Sequence, residues 1–207
     1  MRRLLVLACL LPALSSEPAA AQHLSLAPTI GFYVPTQDLV DITSGTANAT
    51  GKVEAGFSFG GRLGLWFGSR VGFEASGNYV PTTYALTSGS SQVTKEDAKL
   101  FNGAAQLVVF LLPRTSPLTL YLNGGVGVVS HGGVAFTSAS KTSNVSGVFG
   151  AGAGINLGGL QLTAGADLFA YSADYSGATQ VTTSLSQKDI QLRFGFGLPF
   201  GGQTGGR

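Results

Sequence analysis

The stretch VEAGFSFGGRLGLWF, Val53 to Phe67, carries a period of two from end to end. Its odd positions are Val53, Ala55, Phe57, Phe59, Gly61, Leu63, Leu65 and Phe67; its even positions are Glu54, Gly56, Ser58, Gly60, Arg62, Gly64 and Trp66. Successive side chains of a strand point to opposite faces, so this is a strand with one greasy face and one small or charged face. The pattern returns in Asp189 to Phe200, where Ile190, Leu192, Phe194, Phe196, Leu198 and Phe200 oppose Asp189, Gln191, Arg193, Gly195 and Gly197. It returns again in Leu160 to Tyr171. Noisier versions occupy Leu24–Val34, Val71–Tyr84, Leu100–Leu112, Leu118–Ser130 and Val145–Leu157. The strands of ordinary globular proteins average about 5–6 residues, whereas a tilted strand needs about 9–11 to cross a bilayer. All eight segments reach the second length.

Connections alternate in length. Gly68–Arg70, Pro113–Pro117 and Gly158–Gly159 are short; Pro35–Lys52, Ala85–Lys99, His131–Asn144 and Ser172–Lys188 are long and rich in Ser, Thr, Gly and Asn. An even number of strands puts both ends of the domain on the short-turn rim. The reading is all-β: a closed, antiparallel, eight-stranded up-and-down transmembrane barrel. Residues 1–21 read as a signal peptide, with Arg2 and Arg3 ahead of the apolar run Leu4–Leu14 and cleavage after Ala21; residues 22–207 form the barrel domain, with a Gly-rich tail at 201–207. Cleavage there removes Cys9, the single cysteine of the 207-residue chain, so the mature domain holds neither a disulfide nor a thiolate metal site.

The greasy face must point either to lipid or to a soluble core. A water-facing surface is about 25–35% charged, yet the whole chain is only 11% charged. The polar face is Gly, Ser, Thr, Asn and Gln, which packs inside a narrow barrel but does not keep one dissolved. Phe67, Phe73 and Phe200 cluster at the short-turn rim, and Phe57, Phe59 and Tyr79 toward the other, as two interfacial girdles would. A formal net charge of +2 with scattered Lys and Arg gives no footprint for nucleic acid.

With its terminal strand Leu192-Arg193-Phe194-Gly195-Phe196-Gly197-Leu198-Pro199-Phe200, residues 23–200 resemble the small outer-membrane β-barrels of Gram-negative bacteria: the OmpA-type membrane domain, the OmpW-like proteins and the opacity-type barrels. The resemblance rests on architecture. It implies residence in the cell outer membrane, lipid as the surrounding partner, a monomer, and no cofactor. Members of this group usually end on the final aromatic residue; this chain departs from them by continuing from Gly201 to Arg207.

If the greasy face meets lipid, Glu54, Arg62, Glu74, Asp167 and Arg193 point inward and need partners there. Matching Leu160 with Phe200 sets Asp167 level with Arg193; Arg62 and Glu74 fall two residues off opposition across the Gly68–Arg70 turn. We read these charges as a structural network in a largely filled core, which predicts a structural or surface-interaction protein working through its long loops. The alternative is passage or binding of a small apolar solute, as the OmpW-like proteins imply, with Trp66, Phe169 and Tyr171 lining the lumen. A third class is a lipid-modifying enzyme, since some barrels of this kind act on lipid A through a His, a Ser and an acidic residue. The only motif for it is Ser130-His131, whose adjacent side chains should diverge on a strand. The expectation is therefore no enzyme, with no catalytic, metal or cofactor residues. Gly124-Gly125-x-Gly127 and Gly150-x-Gly152-x-Gly154 lie within strands and open no helix, so they do not cradle a phosphate.

Overall fold

The computed structural model describes residues 22–38, 40–44, 47–88, 91–137, 142–158, 160–173 and 185–200. The signal peptide and the 201–207 tail fall outside them. Among the described residues ten strands are formed: β1 (Gln22–Pro35), β2 (Val40–Ser44), β3 (Ala47–Val53), β4 (Gly56–Phe67), β5 (Val71–Ser88), β6 (Ser91–Phe110), β7 (Leu118–Gly133), β8 (Ser143–Asn156), β9 (Gln161–Ala173) and β10 (Leu185–Phe200). Eight close into an antiparallel up-and-down barrel in the order β1-β4-β5-β6-β7-β8-β9-β10, and β10 returns to β1. Closure leaves the barrel wall without a free edge, which a bilayer requires because nothing in hydrocarbon satisfies an open backbone group.

The alternation sets the faces. Leu63, Phe73, Leu107, Leu122, Val126, Phe149, Phe194 and their neighbours are exposed on the outside. Between Leu24 and Phe32, Phe57 and Phe67, Phe101 and Val109, and Leu118 and Val128, the outward positions hold no charge; Lys99 and Lys188 stand just beyond them on the long-loop side. The outer aromatics pair edge-on, Phe67 with Phe73 at 5.9 Å and Phe32 with Phe57 at 5.7 Å between ring centroids. Gly68 (φ 69°) and Gly158 (φ 62°) make the two tightest turns, where a side chain would strain the left-handed backbone. The β1–β10 pairing skips Ala27 and Pro28, and proline has no N–H to donate to the ladder.

Four readings are corrected. The expected loop Ala85–Lys99 is strand instead: β5 runs on to Ser88 and β6 begins at Ser91, and the two stay paired above the rim. The Pro35–Lys52 connection contains the β2–β3 hairpin, which adds to β5 through Val53↔Tyr84 to Ala49↔Ser88. Above the bilayer neither face meets lipid, so the alternation that marks the other strands is lost. The segment Val53–Phe67 is not one strand. It breaks at Glu54-Ala55, and Val53, expected outside, is buried against Ala98 and Phe136. Finally, β9 and β10 sit two residues away from the Leu160–Phe200 alignment: Phe196 faces Leu162, so Arg193 faces Gly165 and Asp167 faces Gln191.

Candidate functional site

The inward positions build the lumen in layers. At the middle lie two buried ion pairs, Arg62 with Glu74 and Arg193 with Asp167, with all four side chains at most 8% exposed. Both pairs are diagonal across neighbouring strands, a separation a long Arg spans. Asn123 Nδ2 donates to Asp167 at 2.8 Å, and Arg193 Nη2 to the Tyr121 hydroxyl at 3.5 Å. Arg62 lies 5.9 Å from the centroid of the same Tyr121 ring. Glycine makes this possible: a Cβ at Gly150 would collide with the Asp167 carboxylate and one at Gly152 with the Tyr121 hydroxyl. The Gly150-x-Gly152 run is thus wall space for large neighbours.

Beside the ion pairs an amide relay crosses the barrel. Thr29 Oγ1 donates to Asn78 Oδ1 (3.2 Å), Asn78 Nδ2 to Asn102 Oδ1 (2.9 Å), Asn102 Nδ2 to Gln191 Oε1 (3.1 Å) and Gln191 Nε2 to Ser58 Oγ (2.7 Å). Asn102 is on β6 and Gln191 on β10, strands that do not adjoin in the wall. The bond between them therefore spans the lumen.

Each end carries apolar mass. Toward the short turns, Trp66 packs on Phe110 (5.3 Å) and Phe110 on Tyr121 (5.6 Å), while the Arg114 guanidinium lies 4.5 Å above the Trp66 ring. Trp66 Nε1 donates to Ser25 Oγ at 2.7 Å. Toward the long loops, the Tyr33 and Tyr171 hydroxyls both donate to Asp189 Oδ2. Around them Val80, Leu100, Val129, Val148 and Phe169 are buried together. Above, the 3₁₀ turn Val134–Phe136 folds Phe136 onto Tyr84 and His131 at 5.8 and 5.3 Å.

Of the residues singled out from sequence, Arg62, Glu74, Asp167 and Arg193 meet in the lumen. Glu54 does not. The break between β3 and β4 turns its carboxylate outward, 2.7 Å from Lys95 Nζ, with both side chains at least 40% exposed. The Lys95 ammonium, and then the Thr83 hydroxyl, hold the Glu54 carboxyl below its ordinary value. Trp66, Phe169 and Tyr171 all point inward, but Trp66 lies at one end of the barrel and the other two near the opposite end, so they do not share one site. His131 is not in a loop: it is the inward residue of β7 opposite Leu100, while Ser130 Oγ lies on the other face, 2.8 Å from Ser143 Oγ. Sequence reasoning missed Asp189, Tyr33, Tyr121 and the amides Asn78, Asn102, Asn123 and Gln191. Their signal was the inward phase alone: polar residues recurring at every second position opposite the lipid face.

No protein-family model matches the sequence, and no curated protein matches it. The fold is nevertheless found among solved structures of outer-membrane proteins. The crystal structure of the outer membrane protein OprG from Pseudomonas aeruginosa superposes with a TM-score of 0.63 at 13% identity, covering 88% of this chain and 97% of that one. The solid-state NMR structure of AlkL in lipid bilayers gives 0.61 at 15% identity, covering 93% and 97%. Neisserial surface protein A gives 0.51 at 16%, covering 89% and 100%. The likeness is one of fold: a small eight-stranded outer-membrane barrel.

Proposed function

We propose that the protein is an integral outer-membrane barrel, with short turns at the periplasm and the β2–β3–β5–β6 extension outside, whose lumen is closed and whose role is structural or surface-interacting. The observation that carries this reading is the succession of contacts across the lumen. Arg114, Trp66, Phe110 and Tyr121 stack at one mouth, the ion pairs and amide relay cross the middle, and Phe136 lies at the other mouth. Eight strands leave an interior just wide enough for side chains or one small ligand, and these side chains are large. The uncharged outward belt supports residence in lipid, and the tall extension offers the surface for a partner.

In planar bilayers the protein should show no sustained discrete openings; regular channel openings would refute the closed lumen. Heat-modifiable migration and extraction only by detergent are expected, and recovery as a soluble periplasmic monomer would overturn the membrane assignment. A second reading, binding of a small apolar solute, is favoured by the buried apolar cluster between the Asn102–Gln191 bond and Phe136. Protein-dependent entry of an apolar dye into vesicles would select it. For the enzymatic class, the divergence of Ser130 and His131 gives no support, and an unchanged lipid A profile is the expected result.

A further inference from the structure

Asp189 is a buried carboxylate without a cation. It is the inward residue of β10 opposite Phe169 and is 1% exposed. The Tyr33 and Tyr171 hydroxyls and the Thr36 backbone amide face it, and all three are neutral donors. Oδ1 has no hydrogen-bond partner, and among the described residues no Lys, Arg or His forms an ion pair with this carboxylate. Its neighbour Lys188 is exposed on the outer face. The four charges in the middle of the lumen, by contrast, are matched two by two. Burying a charge is costly unless it is paired, so Asp189 is the charge left over.

The groups beside it lack the same kind of partner. Ser146, Tyr171 and Gln187 stand level across β8, β9 and β10, with Asn144 and Asp189 one inward place further along the outer two strands. Gln187 Oε1, Ser146 Oγ and both ends of the Asn144 amide have no hydrogen-bond partner, although the three residues are at most 3% exposed. Buried polar side chains of folded proteins are in the large majority satisfied. Here acceptor oxygens face one another from β8 and β10, whose backbones are two strand spacings or about 9–10 Å apart. What they lack is a positively charged donor. The surroundings are apolar and aromatic: Tyr33, Phe169 and Tyr171 bring rings, and Leu100, Val129 and Val148 bring methyl groups. Ring faces attract cations, and methyl groups suit a hydrocarbon chain rather than a hydrated metal ion.

We propose that this upper end of the lumen binds one small primary amine. Its ammonium donates to Asp189 Oδ1 and to the Gln187 and Ser146 oxygens, three donors for three acceptors. Its short hydrocarbon chain lies against Phe169, Leu100 and Val148. An eight-stranded interior has the width for one such ligand. The Asn102–Gln191 bond closes the lumen below, so the amine enters and leaves on the long-loop side, past Phe136, and does not cross the barrel. This rests on the apolar-solute reading above and adds the head group that the solute carries.

The test is isothermal titration calorimetry at pH 7 on the full chain refolded in an uncharged detergent, with butylammonium, 1-butanol and butyrate as probes of equal chain length. Butylammonium should bind once per chain, at least about tenfold tighter than butanol, because a hydrogen bond to a charged group is worth that factor or more. Butyrate should not bind. Asp189→Asn should remove the preference for the amine and leave butanol unchanged, and Ser146→Ala should weaken the amine a few-fold. If Asp189→Asn loses its heat-modifiable migration, Gln187→Met replaces it and should lower the preference for amine over butanol. Equal affinity for butylammonium and butanol would overturn the head group and leave the apolar-solute reading standing. Saturable binding of potassium or calcium chloride in place of the amine would overturn the proposal in favour of a metal-ion site. Binding of neither butanol nor butylammonium would defeat the apolar-solute reading as well.

Discussion

The Asp167–Arg193 pair offers the sharpest test of the lumen. Both side chains are almost wholly buried, and removing one member of such a pair costs about 3–5 kcal/mol because the other charge is left without compensation. The two losses should be unequal here. With Arg193→Ala, Asp167 keeps the Asn123 amide at 2.8 Å, and a carboxylate can be neutralised by a proton. With Asp167→Ala, Arg193 keeps among the described residues a 3.5 Å bond to Tyr121 and the more distant charge of Glu74, which Arg62 already pairs, and a guanidinium cannot shed its own charge. Asp167→Ala should therefore be the more damaging substitution. The double variant leaves no orphan charge, so the sum of the singles should exceed the double by about 2–3 kcal/mol, the upper part of the range for residues in one network. Urea unfolding in lipid vesicles, followed by Trp66 emission, measures all three. Additive effects would mean that the side chains do not meet, and the β9–β10 register given above would then be wrong. A smaller coupling with the same asymmetry would indicate water in the lumen, against the closed core.

Three further outcomes follow from the same geometry. Val126, 64% exposed on the outer wall, should cost about 2–4 kcal/mol as Val126→Arg if that wall lies near the bilayer midplane, against about 0.5 kcal/mol or less on a water-facing surface; unfolding in vesicles distinguishes these. Gly150→Val should destabilise by about 1–3 kcal/mol, since its side chain would enter the space of the Asp167 carboxylate, and Gly132→Val, with open space around it, should not. The Glu54–Lys95 pair should be worth only about 0.2–1 kcal/mol, being some 40% exposed. Because the Glu54 carboxyl is held below its ordinary value, that contribution is present above the unfolded-state value near 4.3 and fades as pH falls through the lower folded one. Glu54→Gln should thus weaken the protein slightly at neutral pH and progressively less as the pH falls below about 4.3, as paired denaturation curves would reveal.

Sequence alone determined the wall of this protein. Period-two alternation over strands long enough to cross a bilayer is a local property, and lipid enforces it on one face at every position from Leu24 to Phe32 or from Leu118 to Val128. It placed Arg62, Glu74, Asp167 and Arg193 on one side of that wall before any contact was known. Where the chain leaves the bilayer this constraint disappears. Nothing in Ala85–Lys99 distinguished a polar loop from the paired continuation of β5 and β6, and nothing at Glu54-Ala55 announced the break that buries Val53 and turns Glu54 toward Lys95. The lumen, too, was decided only by closure. A hydrogen bond between Asn102 on β6 and Gln191 on β10 joins residues 89 positions apart on strands that never pair. No periodicity encodes that meeting; it exists because eight tilted strands close into a cylinder narrow enough for opposite walls to touch.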